Sequence, residues 1–186
     1  MTKEIEELYD RSLIETLDFS SVQSSYNPKI NIENPGNDLK IRPLRINDYE
    51  AGYMQLLSQL TEVGEYDKEK FIETFKLMKQ HKGMYYIIVI EDVASGQVIG
   101  SGTLFIEQKF IHNCALRGRL EDIVVSNEYR GKQLGKLIVH TLTLLSKHLN
   151  CYKVTLDCKD SNRPFYEGLG YKKEESNSNF MQIRFH

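Results

Sequence analysis

Cysteine is scarce in this sequence, and its few cysteines form no recognisable pattern. The chain of 186 residues contains three, Cys114, Cys151 and Cys158, and no two of them are spaced as C-x-x-C. An odd number without paired spacing argues against a disulfide framework and against a zinc site. We therefore predict a reducing, cytoplasmic environment and no bound metal.

Neither sign of charge is in large excess, and long apolar runs are also lacking. The formal net charge is −2, with 40% hydrophobic and 27% charged residues. This balance provides no overall basic field for a nucleic acid, although it is compatible with a local basic pocket for an anionic metabolite. No stretch approaches the roughly 20 apolar residues of a membrane span. The first 19 residues also lack the apolar run of a signal peptide.

Residues 1–38 differ in composition from the rest of the chain. Ile5, Leu8, Leu13 and Leu17 follow a short amphipathic pattern, and a stretch rich in Ser, Asn and Pro comes after them. This composition predicts an N-terminal extension that is partly extended or flexible. We expect residues 39–186 to form one domain, because their length is typical of a single domain.

The hydrophobic pattern of residues 39–186 predicts strands that alternate with helices. Strands are predicted at LKIRPL, MYYIIVIED, VIGSGTLFIEQ, ALRGRLEDIVVS, CYKVTLDC and FMQIRF. Helices are predicted at 47–60, 67–83, 133–149 and within NRPFYEGLGY, with Asn47 and Asp67 as N-caps of the first two. This order predicts an α/β fold in which a central mixed sheet is flanked by helices.

A basic, glycine-containing loop joins the strand EDIVV to the longest predicted helix. Its residues are Arg130, Gly131, Lys132, Gln133, Leu134 and Gly135. The N–H groups of a first helical turn have no helical acceptor, and the helix dipole favours anions there, so a pyrophosphate would fit. The loop is not a nucleotide P-loop, because no Gly-Lys-Ser/Thr follows. By spacing alone, a basic turn that merely begins a helix is equally compatible with it.

In this setting the loop resembles the coenzyme A loop of the GNAT acetyltransferases, R/Q-x-x-G-x-G/A. Arg130 and Gly135 match that pattern, whereas Gln133 stands where glycine is usual. The GNAT pattern N-x-x-x-F-Y-x-x-x-G-Y/F is also matched, by Asn162, Phe165, Tyr166, Gly170 and Tyr171. The resemblance implies a GNAT fold with acetyl-CoA as co-substrate. It also implies that Tyr166 hydrogen-bonds the departing thiolate and protonates it.

Within this superfamily, the chain resembles the glucosamine-6-phosphate N-acetyltransferases over about residues 39–186. The strings LTEVG, EQKFIH, GRLEDIVV, RGKQLGK, NCYKVTLDC and MQIRF carry the resemblance. It implies acetyl transfer from acetyl-CoA to the 2-amine of glucosamine 6-phosphate, a step of UDP-N-acetylglucosamine biosynthesis. It further implies a homodimer in which the C-terminal strand crosses to the partner and the sugar site lies at the interface.

The resemblance also assigns residues to two binding sites. The coenzyme site comprises Ile123, Val124, Val125, Arg130, Gly131, Lys132, Gln133, Leu134, Gly135, Asn162 and Tyr166. The sugar-phosphate site comprises Thr61, Lys109, Phe110, Ile111, His112, Glu121, Asp122, Tyr152, Lys153, Asp157 and Arg184. Lys and Arg donors that converge on a phosphate suit its charge, although each cation by itself is typical of a solvated strand end.

The implied reaction is a direct acyl transfer in a ternary complex. The neutral amine attacks the thioester, whose carbonyl is polarised by backbone N–H groups of Ile123, Val124 and Val125. The base need only be weak, and Glu121, Asp157 or a backbone carbonyl, directly or through water, all remain open.

Two other functions are compatible with parts of the pattern. A GNAT enzyme that acetylates a peptide or polyamine would require an acidic or open groove in place of the Lys109, His112 and Arg184 set. A coenzyme A-binding module without turnover would require neither Tyr166 nor the EDI segment.

Overall fold

The computed structural model describes residues 5–23, 25–175, 181–183 and 185. The chain divides into two compact units, Met1–Thr155 and Leu156–His186. The helices and strands of the first unit are α1 Ser12–Glu15, α2 Ser20–Gln23, β1 Leu39–Pro43, α3 Tyr53–Leu57, α4 Lys68–Gln80, β2 Tyr85–Asp92, β3 Gln97–Gln108, α5 Ile111–Cys114, β4 Leu116–Val125, α6 Leu134–His148 and β5 Cys151–Thr155. The second unit contains α7 Arg163–Glu167. No described helix has both the length and the apolar character that crossing a bilayer requires.

The strands of the first unit form one five-stranded sheet in the order β1-β2-β3-β4-β5. Neighbours from β1 to β4 are antiparallel, whereas β5 runs parallel to β4. The parallel pair requires a crossover, and α6 supplies it. The prediction of a central mixed sheet with helices is therefore confirmed.

The two faces of the sheet are covered by different helices. α6 packs against β3, β4 and β5. On the other face, an apolar cluster joins α3 and α4 to the sheet; it contains Leu8, Leu44, Tyr53, Leu56, Phe71, Phe75, Ile87, Val89, Val98 and Val124. Because side chains alternate along a strand, β2 supplies Ile87 and Val89 to this cluster while Ile88 and Ile90 are buried on the opposite face.

Two glycines allow α6 to lie close to the sheet. A Cβ atom at Gly102 of β3 would lie 2.6 Å from Ile138 Cγ2, and one at Gly118 of β4 would lie 2.5 Å from Ser146 Oγ. Neither distance is tolerable in a packed interior. The position of α6 therefore depends on the absence of side chains at these two sites.

A buried ion pair holds the segment that follows β1. Arg42 and Asp48 are 2% and 1% exposed, and the guanidinium donates two hydrogen bonds of 2.8 Å to the carboxylate. Asp48 also accepts from the Arg45 backbone N–H at 2.7 Å. The prediction of a helix capped by Asn47 is therefore wrong, because this segment turns around Asp48. The helix begins only at Tyr53, after Gly52 with φ +81°.

The remaining helix predictions agree with the structure to within a few residues. Asp67 caps α4 as predicted, since its carboxylate accepts from the Lys70 backbone N–H at 2.8 Å. α6 spans nearly the whole predicted stretch, and α7 ends at Glu167 before Gly168. The predicted last strand, FMQIRF, lies partly outside the described residues, and residues 181–183 and 185 are not in a strand.

The N-terminal segment contributes buried side chains to the first unit. Leu8, Ile14, Phe19, Tyr26 and Ile30 are all at most 8% exposed. The Glu7–Arg45 bridge adds a main-chain link to the segment after β1. The described part of residues 1–38, which the composition predicts to be partly extended or flexible, is thus anchored by apolar residues spaced among polar ones.

Removing the Asp48 carboxylate tests the buried pair. Asp48→Ala leaves the guanidinium of Arg42 buried with only Glu91 as an acidic partner. We expect the free energy of unfolding in urea to fall by about 3 kcal/mol. The control is Glu50→Ala, which removes an exposed carboxylate paired with Lys68 and should leave unfolding almost unchanged. Equal losses in the two variants would show that burial of the pair is unimportant.

Candidate acyl-transfer site

The loop before α6 has backbone angles that turn it toward the helix start. Arg130 is extended, Gly131 has φ +79° and Gln133 has φ +63°. The left-handed angle at Gln133 costs about 1–2 kcal/mol for a residue with a Cβ. Gln133 is the N-cap of α6, and its side chain makes no capping hydrogen bond. The first-turn N–H groups of a 15-residue helix therefore have no capping side chain from Gln133.

The same loop is anchored to the sheet by several contacts. The Ser126 N–H donates to the Ile99 carbonyl at 2.8 Å, and the Asn127 N–H donates to Gln59 Oε1 at 2.9 Å. The Tyr129 hydroxyl donates to Asp92 at 2.5 Å, and the ring of Tyr129 lies 4.6 Å from Lys132 Nζ. The basic loop is thus held in one place while Arg130, Gly131 and Lys132 remain exposed.

The strand β4 leaves its neighbour β5 halfway along its length. The parallel pairing runs from Leu116 opposite Cys151 to Arg119 opposite Thr155, where β5 ends. Residues 120–125 of β4 have no partner strand on that side among the described residues. Backbone groups on that edge are free to bind a ligand. Ile123, Val124 and Val125 lie on this stretch, which leads directly into the loop before α6.

A β-bulge interrupts β4 within the open stretch. Glu121 pairs with Thr103 and Val124 pairs with Ser101, so Asp122 and Ile123 together oppose Gly102. Asp122 has φ +53°. Glu121 forms an ion pair with Arg119. Asp122 as a whole is exposed, but its carboxyl is partly desolvated by the surrounding protein. This desolvation, and then the negative charge of Glu121, raise the pKa of Asp122.

Predicted phosphate-side residues lie at the beginning of β4, near the end of β3. Lys109 forms an ion pair with Glu107, and Arg117 lies 3.6 Å from the same carboxylate. Arg117 also donates to Thr155 Oγ1 at 2.9 Å. Its Nε is buried and has no hydrogen-bond partner among the described residues.

His112 and Tyr152 are in ring contact beside this cluster. Their centroids are 4.4 Å apart, and Lys153 Nζ lies 5.6 Å from the Tyr152 ring. His112 has a left-handed backbone, φ +54°, within α5. Phe110 and Ile111 just before it are 95% and 60% exposed.

The first unit brings the predicted residues together in two groups. Lys109, His112, Tyr152 and Lys153 lie near the start of β4, whereas residues 121–125 lie at its other end. At about 3.3 Å per residue, the seven steps along the strand from Leu116 to Ile123 span roughly 20 Å. Thr61 is exposed in a bend after α3. Arg184 lies outside the described residues.

The second unit contains the predicted thiol-side residues. Tyr166 of α7 is half-buried and packs against Phe165 and Tyr171, with centroids 5.0 and 6.1 Å away. Burial, and to a lesser degree Cys158, raise the pKa of Tyr166, so its hydroxyl is protonated at neutral pH. Desolvation and nearby carboxylates raise the pKa of the Cys158 thiol, which makes it a poor nucleophile. Asp157 and Asn162 are exposed in this unit.

Residues 49–171 match the acetyltransferase (GNAT) family. The chain belongs to the GNAT family. A probable glucosamine 6-phosphate N-acetyltransferase of Drosophila melanogaster is 52% identical over 179 residues, 96% of this chain and 81% of the relative. Glucosamine 6-phosphate N-acetyltransferase 1 of Dictyostelium discoideum is 43% identical over 136 residues, 73% of this chain and 86% of the relative. A crystal structure of glucosamine-6-phosphate N-acetyltransferase from Arabidopsis thaliana has a TM-score of 0.72 and 39% identity, covering 79% of this chain and 97% of that one.

The GNAT fold of this chain contains two candidate residues that the sequence analysis missed, Arg117 and Arg119. Their neighbours Glu107 and Glu121 link them to residues already assigned to the site. The signal was present, because a period of two in LRGRLED places Arg117, Arg119 and Glu121 on one face of a strand. Among the described residues of this GNAT chain, there is no group of three or more His, Cys, Asp or Glu side chains that could hold a metal ion.

A buried histidine on α6 connects the helix to the N-terminal segment. His140 is 7% exposed, and its Nδ1 shares a hydrogen bond of 2.8 Å with the Tyr26 hydroxyl. Burial, and then the charge of Lys136, lower the pKa of His140 from 6.5 to about 4. The imidazole is therefore neutral in the folded protein at neutral pH.

The lowered pKa predicts acid destabilisation of this GNAT domain. Below pH 6.5 the unfolded chain binds a proton at His140 that the folded chain does not bind until about pH 4. The contribution of His140 to the free energy of unfolding is thus fully present above pH 6.5 and is lost as the pH falls. At pH 5 the loss from this residue is about 2 kcal/mol. Urea unfolding at pH 7.5 and pH 5 should show a smaller decrease in His140→Gln than in the unaltered protein. The exposed His148 of the same helix is the control; an equal change in His148→Gln would contradict the assignment.

Proposed function

We propose that this protein transfers the acetyl group of acetyl-CoA to the 2-amine of glucosamine 6-phosphate, as in UDP-N-acetylglucosamine biosynthesis. Membership of the GNAT family and the names of relatives that share 43–52% of their aligned residues support this activity. The observation that carries the proposal is the open edge of β4. It exposes backbone donors next to a basic loop at a helix start, as an acyl-CoA thioester and its pyrophosphate require.

In this proposal the coenzyme's pyrophosphate lies at the loop before α6. The N–H groups of residues 131–135 face it, and Arg130 and Lys132 add positive charge. Gly131 and Gly135 allow the backbone to approach the ligand closely. Asn162 and Tyr166 serve the thiol arm of the coenzyme, as their match to the GNAT motif supports.

The chemical step needs little from side chains. The nitrogen of the neutral sugar amine forms a bond to the thioester carbon, and backbone N–H groups of residues 123–125 stabilise the oxyanion. The carbon–sulfur bond then breaks, and the Tyr166 hydroxyl protonates the leaving thiolate. The amine's proton passes to Glu121, Asp157 or a backbone carbonyl, directly or through water. Most of the rate enhancement comes from positioning.

The phosphate of the sugar is proposed to bind Lys109, His112 and Arg184. Arg117, which lies beside the same Glu107 carboxylate as Lys109, joins this set. Tyr152, Lys153, Thr61 and Asp122 line the sugar. The Lys109–Glu107 ion pair opens when the dianion binds, because a phosphate offers more charge to the ammonium than one carboxylate does.

We further propose a homodimer with the sugar site at its interface. Exposed apolar side chains support it: Phe110, Ile111, Met181, Ile183 and Phe185 are between 60% and 95% exposed. In a dimer these side chains become buried, and the C-terminal residues of one subunit extend the sheet of the other. The cysteines Cys114, Cys151 and Cys158 are free thiols, which supports a reducing, cytoplasmic location.

The role of Tyr166 is tested by Tyr166→Phe, which keeps the ring and removes only the hydroxyl. We expect kcat to fall by about 10²–10⁴-fold while both KM values change little, because the hydroxyl acts mainly in the transition state. Tyr85→Phe, which removes a hydroxyl from β2 at a residue outside both assigned sites, is the matched control and should retain most of the activity. If kcat for Tyr166→Phe lies within twofold of that for the unaltered enzyme, the hydroxyl does not protonate the leaving thiolate.

The substrate is tested by measuring kcat/KM for glucosamine 6-phosphate, glucosamine, spermidine and a lysine peptide. Each charge-assisted hydrogen bond contributes about 1.5–3 kcal/mol, so the phosphorylated sugar should exceed glucosamine by several powers of ten. Lys109→Ala and Arg184→Ala should lower the ratio of kcat/KM for the phosphorylated sugar to that for glucosamine. Neither variant should weaken the binding of acetyl-CoA. Lys82→Ala, which removes a cation from the turn after α4, should not lower the ratio. Equal kcat/KM values for the two sugars would overturn the assignment of glucosamine 6-phosphate as the substrate. A higher kcat/KM for spermidine or the peptide would identify that amine as the substrate class instead.

A further inference from the structure

Residues 25–28 of the N-terminal segment lie along the first turns of α6, held by three of its side chains. The Asn27 N–H donates to Gln133 Oε1 at 3.1 Å, and Gln133 Nε2 donates to the Pro28 carbonyl at 3.1 Å. Lys136 Nζ donates to the Ser25 carbonyl at 2.5 Å and lies 4.7 Å from the Tyr26 ring. We call Gln133, Lys136 and His140, with residues 25–28, the N-terminal clasp.

The clasp follows from helical spacing. Residues 133, 136 and 140 are separated by three and four positions, so their side chains lie on one face of α6 in successive turns. Lys136 and His140 bind the carbonyl of Ser25 and the ring and hydroxyl of Tyr26. The segment 25–28 therefore runs along the helix from its second turn to its start.

The N-terminal clasp ends at Gln133, the N-cap residue of α6. Gln133 has a left-handed backbone, φ +63° and ψ +9°, at a position where the motif usually has glycine. The oxygen and the nitrogen of its side-chain amide are both hydrogen-bonded to the backbone of residues 27 and 28. Its backbone carbonyl accepts the N–H of Leu137 at 3.0 Å, the first hydrogen bond of α6. The contacts with the N-terminal segment thus stabilise a backbone conformation that the glutamine would otherwise disfavour.

We infer that the N-terminal clasp positions the coenzyme loop, so that residues 25–28 support acetyl-CoA binding through Gln133 without touching the coenzyme. The inference rests on the proposed function, because it takes the start of α6 as the pyrophosphate site. Gln133 is then a positioning residue: its side chain faces the N-terminal segment, and only its backbone is directed to the ligand. Contacts with the N-terminal segment thus stabilise a left-handed backbone that glycine, the usual residue at this position of the motif, adopts without strain.

The test uses the full chain with Gln133→Met, which keeps the length of the side chain and removes both hydrogen bonds. Acetyl-CoA affinity is measured by calorimetry, and kcat and both KM values are measured with glucosamine 6-phosphate. Loss of the two hydrogen bonds should weaken acetyl-CoA binding about 3–10-fold. The KM for the sugar phosphate and kcat should stay within twofold. Hydrogen exchange of the backbone amides of residues 131–137 should accelerate.

The control is Asp67→Ala, which removes the N-cap of α4 and weakens a different helix. It should lower stability and leave acetyl-CoA affinity unchanged. If Asp67→Ala and Gln133→Met weaken acetyl-CoA binding equally, the effect is general destabilisation and the inference is overturned.

A double variant separates positioning from direct contact. In Tyr26→Ala the segment loses its attachment to His140, so adding Gln133→Met should cause little further loss of affinity. If Gln133 touched the coenzyme itself, the two losses would multiply, and the inference would fail. Failure of the unaltered protein to bind acetyl-CoA would instead overturn the proposed function, whereas normal binding by Gln133→Met would overturn the clasp alone.

Discussion

The close contact between α6 and the sheet is the constraint on which the site depends. Gly102 and Gly118 leave no side chain between β3, β4 and the helix, so Ile138 and Ser146 lie directly above the strands. The rotation of α6 about its axis is then set by packing. Because the loop of residues 126–133 joins β4 to this helix, its place beside the open edge of β4 follows from that packing. The same orientation buries His140 against Tyr26.

In the proposed reaction, the reactive part of the site is made mainly from the backbone. β4 leaves β5 after Arg119, and a bulge at Asp122 and Ile123 changes its direction. An acyl transfer from a thioester has a good leaving group and an amine that loses its proton readily. Donors that are already oriented therefore matter more than strong acids or bases. The raised pKa of Cys158 agrees with direct transfer, because a protonated thiol would not compete with the amine.

Charge is arranged differently at the other end of β4. Lys109 and Arg117 share Glu107, and His112 stacks on Tyr152. Roughly 20 Å of strand separates this group from the bulge. A small sugar bound at this group therefore does not reach the bulge of the same chain. In the proposed homodimer, the second subunit brings its own group to the first subunit's open edge. Phe110 and Ile111, which precede His112 in the chain, are exposed.

Local pattern was sufficient for much of this protein. The apolar runs of β2 and β3, the periodic apolar positions of α6 and the Asp67 cap of α4 all involve residues within a few positions of each other. The structure contains each of them. The basic loop and the GNAT motifs could be found for the same reason. The order of elements then restricted the sheet to a mixed one, since the last strand needed a helical crossover.

Tertiary structure decided the features that join distant parts of the chain. The predicted helix does not begin at Asn47, because Asp48 faces the buried Arg42. The second partner of Arg42, Glu91, lies 49 positions further along the chain. Gln133 contacts residues 27 and 28 across more than a hundred positions, and Tyr26 becomes buried against His140. Side-chain alternation cannot foretell where β4 loses β5, because that depends on the register of two strands separated by α6. The sequence alone determined the elements and the chemistry available to them, and packing of the whole chain determined which groups meet, because the energies that select those contacts are not local.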